Sequence, residues 1–340
     1  MCLKKKKEPR IRVLMVVNPR SGRRKPYFSA GKIAELFAKR NMEIGVYFTS
    51  LKYNADYLVA EHGHEADIVA CCGGDGTISE IITGMMRDNV KKPLGYIPAG
   101  TTNDLARSLD MQTDLMKAAK TIVYGKPRPL DVGSFNDDYF IYIASFGAFT
   151  EVSYATPQKA KNIFGHMAYL LNAFRFMNKI SSHHVRLKSD TKNVEGDYIF
   201  GAVTNSKSVG GVFKFSDEMV DFNDGKYEVL LIKRPQKKIE VLGIILSMLR
   251  QNYNNRYITF FHASEVNIET DEELDWAVDG ECIHSGKNVH IKNNKHAVNI
   301  IMKKTRHKHD RKRAKRIGKL LRESEKKAAE ENAKEQKEDS

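Results

Sequence analysis

Residues 68–77 read Ile-Val-Ala-Cys-Cys-Gly-Gly-Asp-Gly-Thr, an apolar run that breaks into glycines around one carboxylate. A short apolar run bounded by glycine predicts a buried strand, and the periodic stretch after it predicts a helix. Gly73, Gly74 and Gly76 carry no Cβ, so the backbone can turn sharply and set its N–H groups against an anion. The helix expected from near Thr77 adds its positive end. Asp75 would repel phosphate in such a loop unless a divalent cation lies between them or the carboxylate orients a reacting group. Read alone, Gly-Gly-Asp-Gly suits a plain strand-to-helix turn equally well.

The flanking segments alternate in type. Residues 12–17 predict a strand, 18–26 a loop, and Phe28, Ile33, Leu36 and Phe37 recur at helical spacing. Residues 44–49 then predict a strand, 55–61 a helix, 66–72 the strand feeding the glycine loop, 78–87 a helix and 93–97 a strand. This alternation predicts an N-terminal α/β domain with a parallel sheet and ligand loops at the carboxyl ends of its strands. Past Pro127 and Pro129 come strand patterns at 139–144, 184–188, 198–204, 227–232, 258–262 and 265–269, which predict an antiparallel sheet or sandwich. Helix patterns at 163–180 and 239–249 interrupt it, the first expected to pack on the second domain, with a lipid-facing or acyl-chain-lining surface as the other reading.

Two further loops fall where a phosphate site needs them. Asn18-Pro19-Arg20-Ser21-Gly22-Arg23-Arg24 follows the first strand and offers a hydroxyl and guanidinium groups, which suit phosphate oxygens. Pro98-Ala99-Gly100-Thr101-Thr102-Asn103-Asp104 follows the strand at 93–97 and precedes a helix. Each alone is an ordinary turn, with Thr102 or Asn103 as N-cap. Together, at the ends of three strands in one α/β domain, they predict one shared phosphate site.

Composition narrows the class. The 340 residues suffice for more than one core, and the four cysteines, at Cys2, Cys71, Cys72 and Cys282, show neither a disulfide framework nor metal-ligand spacing. No apolar run is long enough to span a bilayer, and Lys4 to Lys7 lead into polar residues rather than a signal peptide. The expectation is a cytoplasmic protein, at most peripheral at the inner membrane face. Of the net charge of +14, half lies in residues 303–340, where 15 Lys/Arg face 8 Asp/Glu. Such a tail is a solvated extension able to dock on anionic lipid or nucleic acid, or a solubilising segment with no dedicated partner. His183, His184, His307 and His309 are read as solvated residues, on a strand edge and in the tail.

In order, Asn18-Pro19-x-Ser21-Gly22, Gly73-Gly74-Asp75-Gly76-Thr77, Pro98-x-Gly100-Thr101-x-Asn103-Asp104 and Val278-Asp279-Gly280-Glu281 resemble the motifs of the diacylglycerol kinase catalytic-domain family, of the soluble bacterial lipid kinase type. The resemblance runs over about residues 11–302. It implies an N-terminal α/β domain like those of NAD kinases and phosphofructokinases at 11–130, a β-sandwich lipid-substrate domain at 131–295, a last strand near 296–302 returning to the first, and the basic tail at 303–340. It implies ATP as phosphoryl donor, contacted by Asn18, Pro19, Arg20, Ser21, Gly22, Thr49, Gly73, Gly74, Asp75, Gly76, Thr77, Ile78, Ser79 and Thr101. Glu281 matches the proposed base, Asp75 would organise metal and phosphate, and Asp104 would extend that network. Mg²⁺ is implied as well, with a structural site at Asp224 and the backbone at Asp221 and Lys226. From spacing alone, Asn223-Asp224-Gly225 is a hairpin turn.

The expected activity is phosphorylation of the primary hydroxyl of diacylglycerol to phosphatidic acid, with ATP, a membrane lipid and an anionic membrane surface as partners and a homodimer implied. Nucleic acid is not expected as a partner of the kinase. A kinase of a long-chain base, an isoprenoid alcohol or a glycolipid fits the same phosphate loops. A catalytically silent nucleotide- or lipid-binding protein is the third reading, one to which Asp75 and Glu281 together run counter.

Overall fold

The computed structural model describes residues 10–22, 25–148, 181–206, 208–209, 213–216, 219–253 and 255–303. The apolar runs of the N-terminal part become β1 (Ile11–Val17), β2 (Met42–Phe48), β3 (Ile68–Gly73) and β4 (Pro93–Pro98), parallel and ordered β4-β3-β1-β2. β1, β3 and β4 are short and apolar because helices cover both faces, whereas β2 at the sheet edge is mostly exposed. On one face Leu14, Val16, Val69 and Cys71 pack against α2 (Ala55–His62) and α3 (Asp75–Arg87). On the other, Val13, Met15, Val17, Ala70 and Cys72 pack against α1 (Lys25–Ala38) and α5 (Leu115–Tyr124). Period-two alternation thus sends the adjacent cysteines to opposite sides of the sheet. The short α4 (Asp104–Ser108) follows the loop after β4.

The remaining strands are β5 (Lys126–Phe135), β6 (Asp138–Phe140), β7 (Ile143–Gly147), β8 (His183–Ser189), β9 (Val194–Thr204), the short pair β10 (Ser208–Val209) and β11 (Phe213–Lys214), β12 (Tyr227–Lys233), β13 (Ile258–Ala263), β14 (Glu265–Thr270), β15 (Leu274–Val278), β16 (Glu281–Ser285) and β17 (Asn288–Met302). The path β16-β15-β7-β9-β8-β14-β17 is antiparallel, and β12 branches from β9 to pair with β13. These strands enclose a sandwich core in which the Trp276 ring centroid lies 4.9 Å from that of Phe146 and 5.1 Å from that of Phe135. α6 (Lys238–Leu249) seats Val241, Ile244, Ile245 and Met248 on Leu230, Ile232 and Phe200. β17 joins the layers: it is antiparallel to β14 and β5, and then runs parallel to β4 through Asn299↔Pro93 and Ile300↔Leu94.

Four expectations change. The helix after the glycine loop starts at Asp75, not near Thr77, so the carboxylate lies in its first turn. The strand expected at 139–144 is split into β6 and β7, because the N–H groups of Ile141, Tyr142 and Ile143 turn to the carboxylate of Asp279. β8 is no edge strand, since it lies between β9 and β14; His183 and His184 meet Glu272, Asp197 and Glu195 there. The turn at 222–225 does not close a hairpin, since β12 pairs with β9 and β13. The expected helix at 163–180, the N-terminal lysines and the tail from residue 304 onward lie outside the described residues.

Candidate active site

The three glycine-bearing loops interlock. After β1, Asn18 donates its N–H to the Cys72 carbonyl (3.0 Å) and its Nδ2 to Thr77 Oγ1 (3.0 Å), while its Oδ1 accepts the Arg20 N–H (2.9 Å). Ser21 Oγ accepts the Gly74 N–H at 3.2 Å, and the Ala99 N–H reaches the Gly73 carbonyl at 2.7 Å. Asn103, at φ 51°, closes its own loop by accepting from Gly100 N–H and donating to its carbonyl, both at 2.9 Å, rather than capping α4. The N–H groups of Asp75, Gly76 and Thr77 precede the first intrahelical bond of α3, Ile78 N–H to the Gly74 carbonyl at 3.1 Å. That leaves an open helix N-terminus at the bottom of the loops, suited to phosphate.

Backbone proximity explains the glycines. A Cβ on Gly100 would stand 2.6 Å from Gly74 Cα, and one on Gly22, at φ +59°, would stand 2.3 Å from the Ala99 carbonyl oxygen. Gly22→Ala therefore combines left-handed strain with a backbone clash, and it is expected to destabilise the protein by on the order of 1–3 kcal/mol or more. It is also expected to raise the half-saturating ATP concentration. A melting temperature and ATP affinity equal to wild type would contradict the interlock.

Acidic groups converge on these loops. Asp75 Oδ1 accepts the Leu105 N–H at 3.3 Å, tying the start of α3 to α4. Burial, and then the negative charge of Asp75, raise the carboxyl of Asp104. Asp75 and Asp104, side by side at the open end of α3, are the groups here that could hold a divalent cation next to a bound phosphate. β15 and β16 meet in a two-residue turn with φ 49° at Asp279 and φ 93° at Gly280, the left-handed pair of a type I′ hairpin. Glu281 follows, exposed, and the Ser79–Asp279 contact two residues before it brings its turn to α3. Burial, and to a lesser degree nearby carboxylates that include Glu281, raise the carboxyl of Glu80 on α3 and the phenol of Tyr142.

Asp279 binds the two parts of the site together. Its carboxylate accepts N–H bonds from Ile141 (2.7 Å), Tyr142 (3.0 Å) and Ile143 (3.1 Å) and the Ser79 hydroxyl of α3 (3.2 Å). The Tyr142 hydroxyl donates to the Asp279 carbonyl at 2.7 Å. Burial outweighs these donors and pushes the carboxyl up to about 6. A carboxyl raised on folding stabilises the fold while neutral, below its ordinary range, and that contribution is lost as pH rises through about 6. The change amounts to roughly 3 kcal/mol. Denaturant unfolding between pH 4 and 7 should show wild type losing stability relative to Asp279→Asn as pH rises; a constant difference would contradict this titration.

The Asp224 turn is pinned from below. Asp131, fully buried, accepts the N–H groups of Gly225 and His296, both at 2.7 Å, and Asp224 Oδ1 accepts the Lys226 N–H at 2.8 Å. Glu228, next along the chain, is buried with Oε2 unpartnered; burial first, then the charges of Asp224 and Asp221, push its carboxyl up to about 9. Oxygen donors around an orphaned buried carboxylate oxygen fit a hard, oxygen-ligated cation.

The sequence-predicted residues are brought together at the carboxyl ends of β1, β3 and β4, with Thr49 at the end of β2, its N–H on the Val17 carbonyl at 2.9 Å. Arg20 and Thr101 are exposed at the rim, whereas Thr77 and Ile78 are buried beneath it. Arg23 and Arg24 lie outside the described residues. Asp221, Asp224 and Lys226 form the separate turn just described. Sequence reasoning missed Tyr142, Glu80 and Asp131. For Asp131 a signal existed, a lone acid between Leu130 and Val132; for Tyr142 there was none.

Comparison with known proteins gives a consistent picture. The family model described as Diacylglycerol kinase catalytic domain matches residues 12–135, and that described as YegS C-terminal NAD kinase beta sandwich-like domain matches residues 143–301. The chain is similar to the diacylglycerol kinase of Bacillus subtilis (strain 168), 30% identical over 272 residues that cover 79% of this chain and 89% of the relative. It is also similar to that of Staphylococcus aureus (strain MRSA252), 28% identical over 275 residues, covering 80% and 86%. In fold it resembles the crystal structure of a diacylglycerol kinase from Bacillus anthracis str. Sterne, with a TM-score of 0.68 at 22% identity over 88% of this chain and 99% of the other. A further structure from that organism gives a TM-score of 0.72 at 24% identity, covering 86% and 97%.

Proposed function

Because the chain belongs to the diacylglycerol kinase catalytic-domain family, we propose that it transfers the γ-phosphoryl group of ATP to the primary hydroxyl of diacylglycerol, giving phosphatidic acid and ADP. The observation that carries this reading is the pairing of an anion-binding helix end and its two acids, Asp75 and Asp104, with Glu281 across the Asp279–Ser79 bridge. Residues 11–130 take the nucleotide, through Asn18 to Gly22, Thr49, Gly73 to Ser79 and Thr101, and residues 131–295 take the lipid. Glu281 accepts the hydroxyl proton as the lipid oxygen forms its bond to the γ-phosphorus and the bond from phosphorus to the β–γ bridging oxygen breaks. Asp75 and Asp104 would hold Mg²⁺, which supplies neutralisation of the charge on the transferring group. The Asp224 turn would hold a second, structural Mg²⁺ through its carboxylate and the carbonyls of Asp221 and Lys226. Rates with diacylglycerol, a long-chain base, an isoprenoid alcohol and a glycolipid in mixed micelles test the acceptor; preference for any lipid but diacylglycerol would overturn it.

The lipid must be met at a bilayer. On α6 the side opposite the buried residues exposes Ile239 (66%), Leu242 (47%) and Leu246 (40%), which recur at helical spacing. Lys237 and Arg250 cap the two ends of this helix and are exposed. An apolar stripe flanked by cations fits an anionic membrane surface, each well-placed cation contributing about 1 kcal/mol. Ile239→Glu with Leu242→Glu is expected to lower activity on long-chain diacylglycerol in phosphatidylglycerol vesicles by at least about tenfold. It should leave transfer to a water-soluble short-chain diacylglycerol unchanged; equal losses on both would contradict docking through α6.

A further inference from the structure

The hairpin that carries Glu281 has an outward face that phosphoryl transfer does not use. In the β15–β16 register Asp275 stands opposite His284 and Ala277 opposite Cys282. Strand alternation sends Trp276, Val278, Glu281 and Ile283 to one side of the hairpin, and Asp275, Cys282 and His284 to the other. The latter three are exposed, and a carboxylate oxygen, the Cys282 Sγ and an imidazole nitrogen lie within 4.8 Å of one another. His284 Nδ1 already faces the Asp275 carboxylate.

We infer that Asp275, Cys282 and His284 bind a thiophilic divalent transition metal, Zn²⁺ by its chemistry, on the outer face of this hairpin. Thiolate and imidazole select such an ion over Mg²⁺ and Ca²⁺, and the carboxylate is a third ordinary zinc ligand. A tetrahedral ion with bonds of about 2.0–2.3 Å holds its donors about 3.3–3.7 Å apart, so side-chain rotation alone closes the site, and water completes the fourth position. An exposed His–Asp ion pair would account for two of the three residues but not for the thiol. Free cysteine otherwise prefers the interior, as Cys71 and Cys72 do here. Among the described residues β16 pairs with β15 alone in the sheet, so an ion bridging the two strands clips the hairpin whose other face presents Glu281.

The test uses the full chain, stripped of metal with a chelator and titrated with Co²⁺. One equivalent should bind with a thiolate-to-cobalt charge-transfer band in the near ultraviolet, and Zn²⁺ but not excess Mg²⁺ should displace it. Cys282→Ser should abolish the band. His284→Gln should weaken binding by no less than the roughly 10–100-fold that loss of an outer-shell partner costs. Both positions are exposed, so the variants should keep the wild-type circular dichroism and melting temperature. A band that persists in Cys282→Ser, or the absence of saturable binding in wild type, would overturn the site. Neither readout depends on kinase activity.

Discussion

Glu281→Gln will lower diacylglycerol turnover by roughly 10²–10⁴-fold, the range that a positioned general base supplies. The side chain is exposed at the first position of β16, and its hairpin is fixed by the Val278↔Glu281 pair and by Asp279. Glutamine fills the same volume without the proton-accepting charge, so the loss should fall on kcat, with the ATP concentration dependence and the melting temperature near wild type. Turnover within a factor of about 3 of wild type would remove Glu281 from the chemistry.

Asp75→Asn should be of similar size by a different route, about 10²–10³-fold in kcat, the loss seen when a charge-stabilising group leaves an active site. The amide oxygen can still accept the Leu105 N–H that Asp75 Oδ1 takes at 3.3 Å, so the junction of α3 and α4 survives and only the charge is removed. The carboxyl of Asp104, raised by burial and by Asp75, should fall back toward its ordinary value once that charge is gone. If the two acids share a cation, the variant also needs more Mg²⁺ for half-maximal rate. An unchanged Mg²⁺ requirement would mean that Asp75 acts only through its loop. Asp75→Ala would be the poorer test, because it also strips the acceptor from Leu105.

The difference between what the sequence disclosed and what it hid lies in the range of the interactions. β1, β3 and β4 were legible because each is a short apolar run buried on both faces, and their loops were legible because glycine, asparagine and hydroxyl residues cluster locally. The contacts that assemble the site are long-range. Asp279 grips backbone N–H groups 136–138 positions earlier, and Asp131 holds the turn at Gly225 and the backbone at His296. Such carboxylate-to-backbone bonds leave no periodic trace in the chain, which is why the break at residues 141–142 read as continuous strand. They also explain why Asn223-Asp224-Gly225, a good hairpin signal by composition, forms a turn pinned by a buried acid. Asp275, Cys282 and His284 escaped for a related reason: their grouping depends on hairpin register, and the cysteine spacing alone carries none of it.

The most direct test of the account is transfer of labelled γ-phosphate from ATP to diacylglycerol in mixed micelles with Mg²⁺, with wild type, Glu281→Gln and Asp75→Asn side by side. Labelled phosphatidic acid from wild type, reduced at least about a hundredfold in both variants, is the predicted result. Label recovered only in a water-soluble acceptor, no transfer by wild type, or full transfer by either variant would contradict it.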